Sequence, residues 1–129
     1  MHPLAFKYTS IKHLVLPAFT NVSENWFYKV RNGITTIDFG PNLRTIGHYA
    51  FWDSDVRTLI FRGINPPSYT TSSTDPNSNQ TSFIYNMSNL SIYVPSGAVY
   101  AYKYKWSAMS NRIFALEGTD YEEPGYTRV

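Results

Sequence analysis

The side chains of this sequence that could carry acid–base or metal chemistry are three histidines and nine carboxylates, and there is no cysteine. His2, His13 and His48 stand apart, without the His-x-x-x-His spacing that sets two imidazoles on one helix face. A chain without thiols holds no thiolate zinc site, iron–sulfur cluster, disulfide or cysteine nucleophile. Asp53 and Asp55 are close in sequence, but in a turn between apolar runs they read as solvated turn formers rather than an acid/base pair. There is no glycine-rich phosphate loop and no Gly-x-Ser-x-Gly elbow. Gly33, Gly40, Gly47 and Gly63 recur at intervals that suit turns. The expectation is a protein that is not an enzyme, with no catalytic residue, no metal and no cofactor.

Charge narrows the partners. Residues 117–129 carry four carboxylates against Arg128, while the rest of the chain carries ten basic and five acidic side chains in scattered positions. Nucleic-acid binding needs a basic patch or stripe, and none is visible, so no nucleic-acid partner is expected. No run approaches the roughly 18 apolar residues of a membrane span. The first residues lack the basic-then-apolar order of a signal peptide. The expected location is therefore extracellular or cell-surface if the chain belongs to a longer exported protein, or else a virion. With 43% hydrophobic and 16% charged residues in 129, the chain is expected to pack as one domain.

The elements that must position these residues repeat. Ile11-x-x-Leu14-x-Leu16, Ile34-x-x-Ile37-x-Phe39 and Val56-x-x-Leu59-x-Phe61 share one pattern at spacings of 22 or 23 residues. Leu90–Val94 and Ile113–Leu116 continue it, and Phe27, Phe51 and Phe83 form a second apolar position. Neither a short strand nor its return segment can bury its apolar face alone, so such coils stack into a parallel sheet with a shared core. The coils fall at about 11–33, 34–55, 56–89 and 90–112, with a terminal strand at 113–118. Residues 65–79, rich in Pro, Ser, Thr and Asn, read as an insertion loop. Residues 1–10, with Leu4, Phe6 and Tyr8, read as an N-terminal cap in which Trp26 helps to shield the open end. Residues 119–129 read as a flexible acidic tail.

Ile46-Gly47-His48-Tyr49-Ala50-Phe51, Leu14-Val15-Leu16-Pro17 and Tyr93-Val94-Pro95-Ser96-Gly97 with Tyr102 and Trp106 carry a resemblance to the BspA-like leucine-rich repeat proteins. The first coil departs from the pattern, with Ser23 at the usual glycine and Trp26 at the usual alanine. The resemblance implies an α/β repeat solenoid with short parallel strands on one face and short helices or turns on the other. It also tips residues after Pro95 toward a helical cap, with Tyr102 and Trp106 inward; Ser96 suits its N-cap. The function it implies is recognition or adhesion on a gut Bacteroides-type cell.

Strand alternation then sets an outward ladder. One row runs His13–Thr36–Thr58–Ser91 and the next Val15–Asp38–Ile60–Tyr93, with Arg62 at the edge. The candidate binding residues are His13, Asp38, Ile60, Arg62 and Tyr93, with Tyr69 of the loop, and the expected ligand is a protein or glycan. An exposed sheet with no ligand would show a similar mixture. Two alternatives stay open: a phage virion component that self-associates through the solenoid ends, and, remotely, a carbohydrate-active enzyme dependent on Asp38.

Overall fold

The computed structural model of the chain describes residues 12–16, 20–22, 26, 33–47, 50–51, 54–69 and 90–119. In chain order these form β1 (His13–Val15), β2 (Asn21–Val22), β3 (Thr36–Asp38), β4 (Thr45–Ile46), β5 (Thr58–Ile60), β6 (Ser68–Tyr69), β7 (Ser91–Val94), helix α1 (Val99–Lys105) and β8 (Ile113–Ala115). The main sheet runs β1-β3-β5-β7-β8, and every neighbouring pair is parallel. This is the α/β repeat solenoid that the resemblance implies, with the parallel sheet expected from the periodic apolar runs.

Each strand turns its apolar residues into one core. Leu14, Leu16, Ile37, Phe39, Leu59, Phe61, Ile92, Val94 and Ile113 are all buried. The ladder continues past the strand ends, where Leu16 N–H donates to Asp38 O at 2.7 Å and Phe61 N–H to Tyr93 O at 3.0 Å. Aromatic rings run through the core from coil to coil. Trp26 packs against Phe39 and Phe51, Phe39 stacks on Phe61 at 5.5 Å, and Phe61 meets Trp106 edge-on at 5.3 Å. Trp26 is thus a buried member of the core. The proposed capping residues Leu4, Phe6 and Tyr8, and the column members Phe27 and Phe83, lie outside the described residues.

The return limb holds more order than the sequence suggests. A second parallel sheet, β2-β4-β6, pairs Asn21 with Thr45 and Thr45 with Ser68, and likewise Val22 with Ile46 and Ile46 with Tyr69. Thr45 Oγ1 donates to Asn21 Oδ1 at 2.5 Å along its outer row. Ser68 and Tyr69, read as part of the 65–79 loop, are therefore the third coil's return strand, in register with the coils before it; residues 70–79 of the loop reading lie outside the described residues.

Two glycines mark the corner between the sheets. Gly40 follows β3 with φ +72°, and its N–H donates to Asp38 Oδ1 at 2.9 Å. At Gly63 a Cβ would stand 2.8 Å from the carbonyl oxygen of Pro41 one coil earlier, so the close approach of the two corners requires glycine.

The cap is helical, as the resemblance implies. A 3-10 turn at Ser96–Ala98 leads into α1, and a second 3-10 segment at Ser107–Arg112 leads into β8. Ala98, Tyr102, Trp106 and Met109 are buried along the inner side. Ser96 is not the N-cap of α1; Ala98 is, without a side-chain bond. The intervening 3-10 turn separates Ser96 from the helix, and its N–H instead donates to both carboxylate oxygens of Glu117, at 3.0 Å each. Its hydroxyl also bonds to Glu117. Thr119 N–H and Oγ1 donate to Leu116 O at 3.2 and 2.6 Å. Thr119, the first residue of the tail reading, thus closes a turn on Leu116; residues 120–129 lie outside the described residues.

Candidate recognition surface

Five strands present the outward rows in the expected register. His13, Thr36, Thr58 and Ser91 are aligned, as are Val15, Asp38, Ile60 and Tyr93, and Phe114 extends the second row. Accessibility does not follow alignment. Asp38 is 1% exposed and Ile60 0%, and Val15 and Thr36 are buried as well. Ile60 therefore offers no surface to a ligand, which corrects its place among exposed candidates. The reason lies in the spacing, since an outward side chain in mid-sheet is flanked on both sides at about 4.8 Å. Ile60 stands between Asp38 and Tyr93 in its row.

Asp38 is committed elsewhere in the fold. Its Oδ2 accepts from Arg62 Nε at 2.8 Å and its Oδ1 from Gly40 N–H, so both oxygens are engaged by the protein. Asp55 likewise accepts Gly33 N–H at 2.9 Å, which joins successive coils and fits its reading as a turn residue. Asp53 and the histidines His2 and His48 lie outside the described residues. Among the described residues no group of three or more His, Asp or Glu side chains converges to hold a metal ion.

The accessible part of the row lies toward β8. Tyr93 is half-buried, Phe114 is 45% exposed, and their rings sit 5.8 Å apart at 38°. His13, Thr58 and Ser91 are half-buried in the neighbouring row. Tyr69 belongs to the other sheet, opposite Ile46, and is not brought together with these residues.

Two clefts flank the segment that follows Arg62. One, of about 530 Å³, is lined by Thr20, Asn42, Arg44, Arg62 and Ile64 among others. The other, of about 520 Å³, lies between Pro66 and the outer side of α1, where Tyr100 and Tyr104 are exposed. The inner side of α1 holds this segment in place. Tyr102 Oη donates to Gly63 O at 2.7 Å, and Trp106 Nε1 donates to Pro67 O at 3.1 Å. Burial pushes the Tyr102 hydroxyl well above the ordinary tyrosine range.

Phe114, Tyr100 and Tyr104 were not among the sequence candidates. The signal for the tyrosines was present. Once Ala98, Tyr102, Trp106 and Met109 take the inner side, a pair at i and i+4 shares the outer one.

Residues 2–104 match the family described as "BspA type Leucine rich repeat region (6 copies)". This chain belongs to the BspA-type leucine-rich repeat family. The match ends inside α1, while the BspA-type sheet continues to β8. Among curated proteins none matches the chain. BspA-type repeats are generally surface or adhesion modules, usually of exported or surface proteins, and typically not enzymes. Leucine-rich repeat proteins in general bind protein partners. Among the described residues no helix is long and apolar enough to cross a membrane.

Proposed function

We propose that this BspA-type chain is a non-enzymatic recognition module of a bacterial surface, which engages a protein ligand through the β7–β8 end of its main sheet. The Tyr93–Phe114 ring pair carries this reading, because it is the large apolar group that the outward rows leave open to solvent. Aromatic anchors of this kind, bordered by polar side chains, dominate the energetics of protein interfaces. Half-buried Ser91, two residues before Tyr93 in β7, and Thr58, aligned with Ser91 on β5, supply hydroxyls in the neighbouring row. The fold alone would not select this role, since one fold hosts many functions.

The test is an array printed with extracellular-matrix proteins and with glycans, probed with the intact chain and with Phe114→Ser. Retention by a protein spot, reduced at least tenfold by Phe114→Ser with the circular dichroism unchanged, is the expected result. Retention of the variant at parental strength would overturn the reading.

A second reading, self-association through a solenoid end as in a virion component, has one observation in its favour. Among the described strands β8 pairs with β7 alone, and an edge strand is a template for further pairing. Light scattering over a wide dilution range tests it: an oligomer that persists on dilution supports assembly, and a monomer at every concentration removes it.

A further inference from the structure

We propose that the outer face of the cap helix is a separate binding site for an acidic saccharide, a pyranose bearing a carboxylate. The site is built from Tyr100, Tyr104, Lys105 and Pro66, and it does not depend on the sheet reading above.

Water contact on this face is unusual for its composition. Tyr100 is 81% exposed and Tyr104 74%, and their rings are near-parallel, with centroids 6.5 Å apart at 24°. Neither hydroxyl bonds to another described residue. With Ala101, Lys105 and Pro66 the rings border the cleft of about 520 Å³. The platform is stiff, because the opposite side of the same helix is locked to residues 63–67 through Tyr102 and Trp106. Tyrosine offers contact area and a hydroxyl at small entropic cost, and its electron-rich face suits the C–H face of a pyranose.

Charge selects among saccharides. α1 has no acidic residue and carries Lys103 and Lys105 in its last turn. Among the described residues Lys105 Nζ reaches only neutral acceptors, Pro66 O at 3.4 Å and Ser68 Oγ at 3.5 Å, and Lys103 has no partner. A sugar lying on the rings would place a carboxylate within reach of an ammonium that no carboxylate among the described residues neutralises. A protein partner fits less well. A stable protein interface buries about 800 Å² on each side, and this face is one side of a seven-residue helix.

Uronic acids and sialic acids share the required chemistry, and the experiment separates them. The intact chain is titrated calorimetrically with trigalacturonic acid, with 3′-sialyllactose and with lactose at low salt. The expected result is that one acidic sugar binds at least tenfold more tightly than lactose, weakening with salt as a charge contact does; which one binds names the source. Tyr104→Ala and Lys105→Met should each weaken that binding at least tenfold, and Tyr104→Phe should retain most of it. Phe114→Ser should leave it unchanged, so the sheet reading can fail while this one stands. Failure of all three sugars to bind, equal binding of lactose, or full binding by Tyr104→Ala overturns the proposal. These side chains are exposed, and an unchanged thermal melt shows that the variants fold.

Discussion

Arg62 Nε donates to Asp38 Oδ2 at 2.8 Å, joining the corners of two successive coils whose residues lie 24 apart in the chain. Asp38 is aligned with Val15 on one side and Ile60 on the other, so a carboxylate occupies a row that the neighbouring coils fill with apolar side chains. It is tolerated there because Arg62 and Gly40 N–H satisfy both oxygens.

Removing the guanidinium should therefore cost more than removing the pair. Arg62→Ala strands a buried carboxylate and is expected to lower stability by about 3 kcal/mol, the lower end for breaking such a pair. Asp38→Val with Arg62→Met places in the row the kind of side chain found at Val15 and Ile60, and should recover much of the loss. Urea unfolding midpoints check this; a double variant no more stable than Arg62→Ala would contradict it.

Phe51 packs against Trp26 and Phe39 and is fully buried. Truncating a core phenylalanine costs about 3–5 kcal/mol, against roughly 5–15 kcal/mol for a whole domain. Phe51→Ala should leave little folded protein at physiological temperature, whereas Phe114→Ala, at a half-exposed position, should melt near the parent. A thermal melt of Phe51→Ala close to that of the parent would remove Phe51 from the core.

Much of this architecture is legible in the sequence because its signal is periodic. Leu14, Ile37, Leu59 and Ile92 recur with the strands, and their alternation by itself puts Val15, Asp38, Ile60 and Tyr93 in one row. Exposure within the row was not legible. Whether Ile60 is open depends on the bulk of Asp38 and Tyr93 beside it and on the Arg62 bond, none of which alternation encodes. β6 was hidden for a different reason. A two-residue strand has no period, and Pro66-Pro67 before it looks like a loop, although Pro67 O in fact receives the indole N–H of Trp106. The Ser96–Glu117 contact joins residues 21 apart, and no local pattern announces it.

Gly63 and Gly97 should respond differently to alanine. At Gly63 the new Cβ meets the Pro41 carbonyl oxygen at 2.8 Å, a backbone atom, so a corner of the solenoid must shift. Overpacking of this kind costs about 1–3 kcal/mol. At Gly97 nothing lies within 4 Å, and the change should stay within about 0.5 kcal/mol. Equal denaturation midpoints for the two variants would mean that the corners are not in such close contact.

Tyr102 predicts a loss of stability in alkali with a definite sign. Its hydroxyl is buried and donates to Gly63 O, so the folded state holds the proton to higher pH than the unfolded chain does. Below about pH 10, the ordinary tyrosine value, both states are protonated and the stabilising contribution is complete. Above it the unfolded state loses the proton first, binds fewer protons than the native state, and is favoured increasingly as pH rises toward the folded value. The slope reaches up to about 1.4 kcal/mol per pH unit. Tyr102→Phe abolishes this component while losing about 0.5–1.5 kcal/mol at neutral pH for the missing hydrogen bond. Urea midpoints at pH 7 and between pH 9 and 11 therefore converge for the two proteins as pH rises. Parallel curves would show that Tyr102 ionises as readily in the folded protein as in the unfolded chain, and would place its hydroxyl in water.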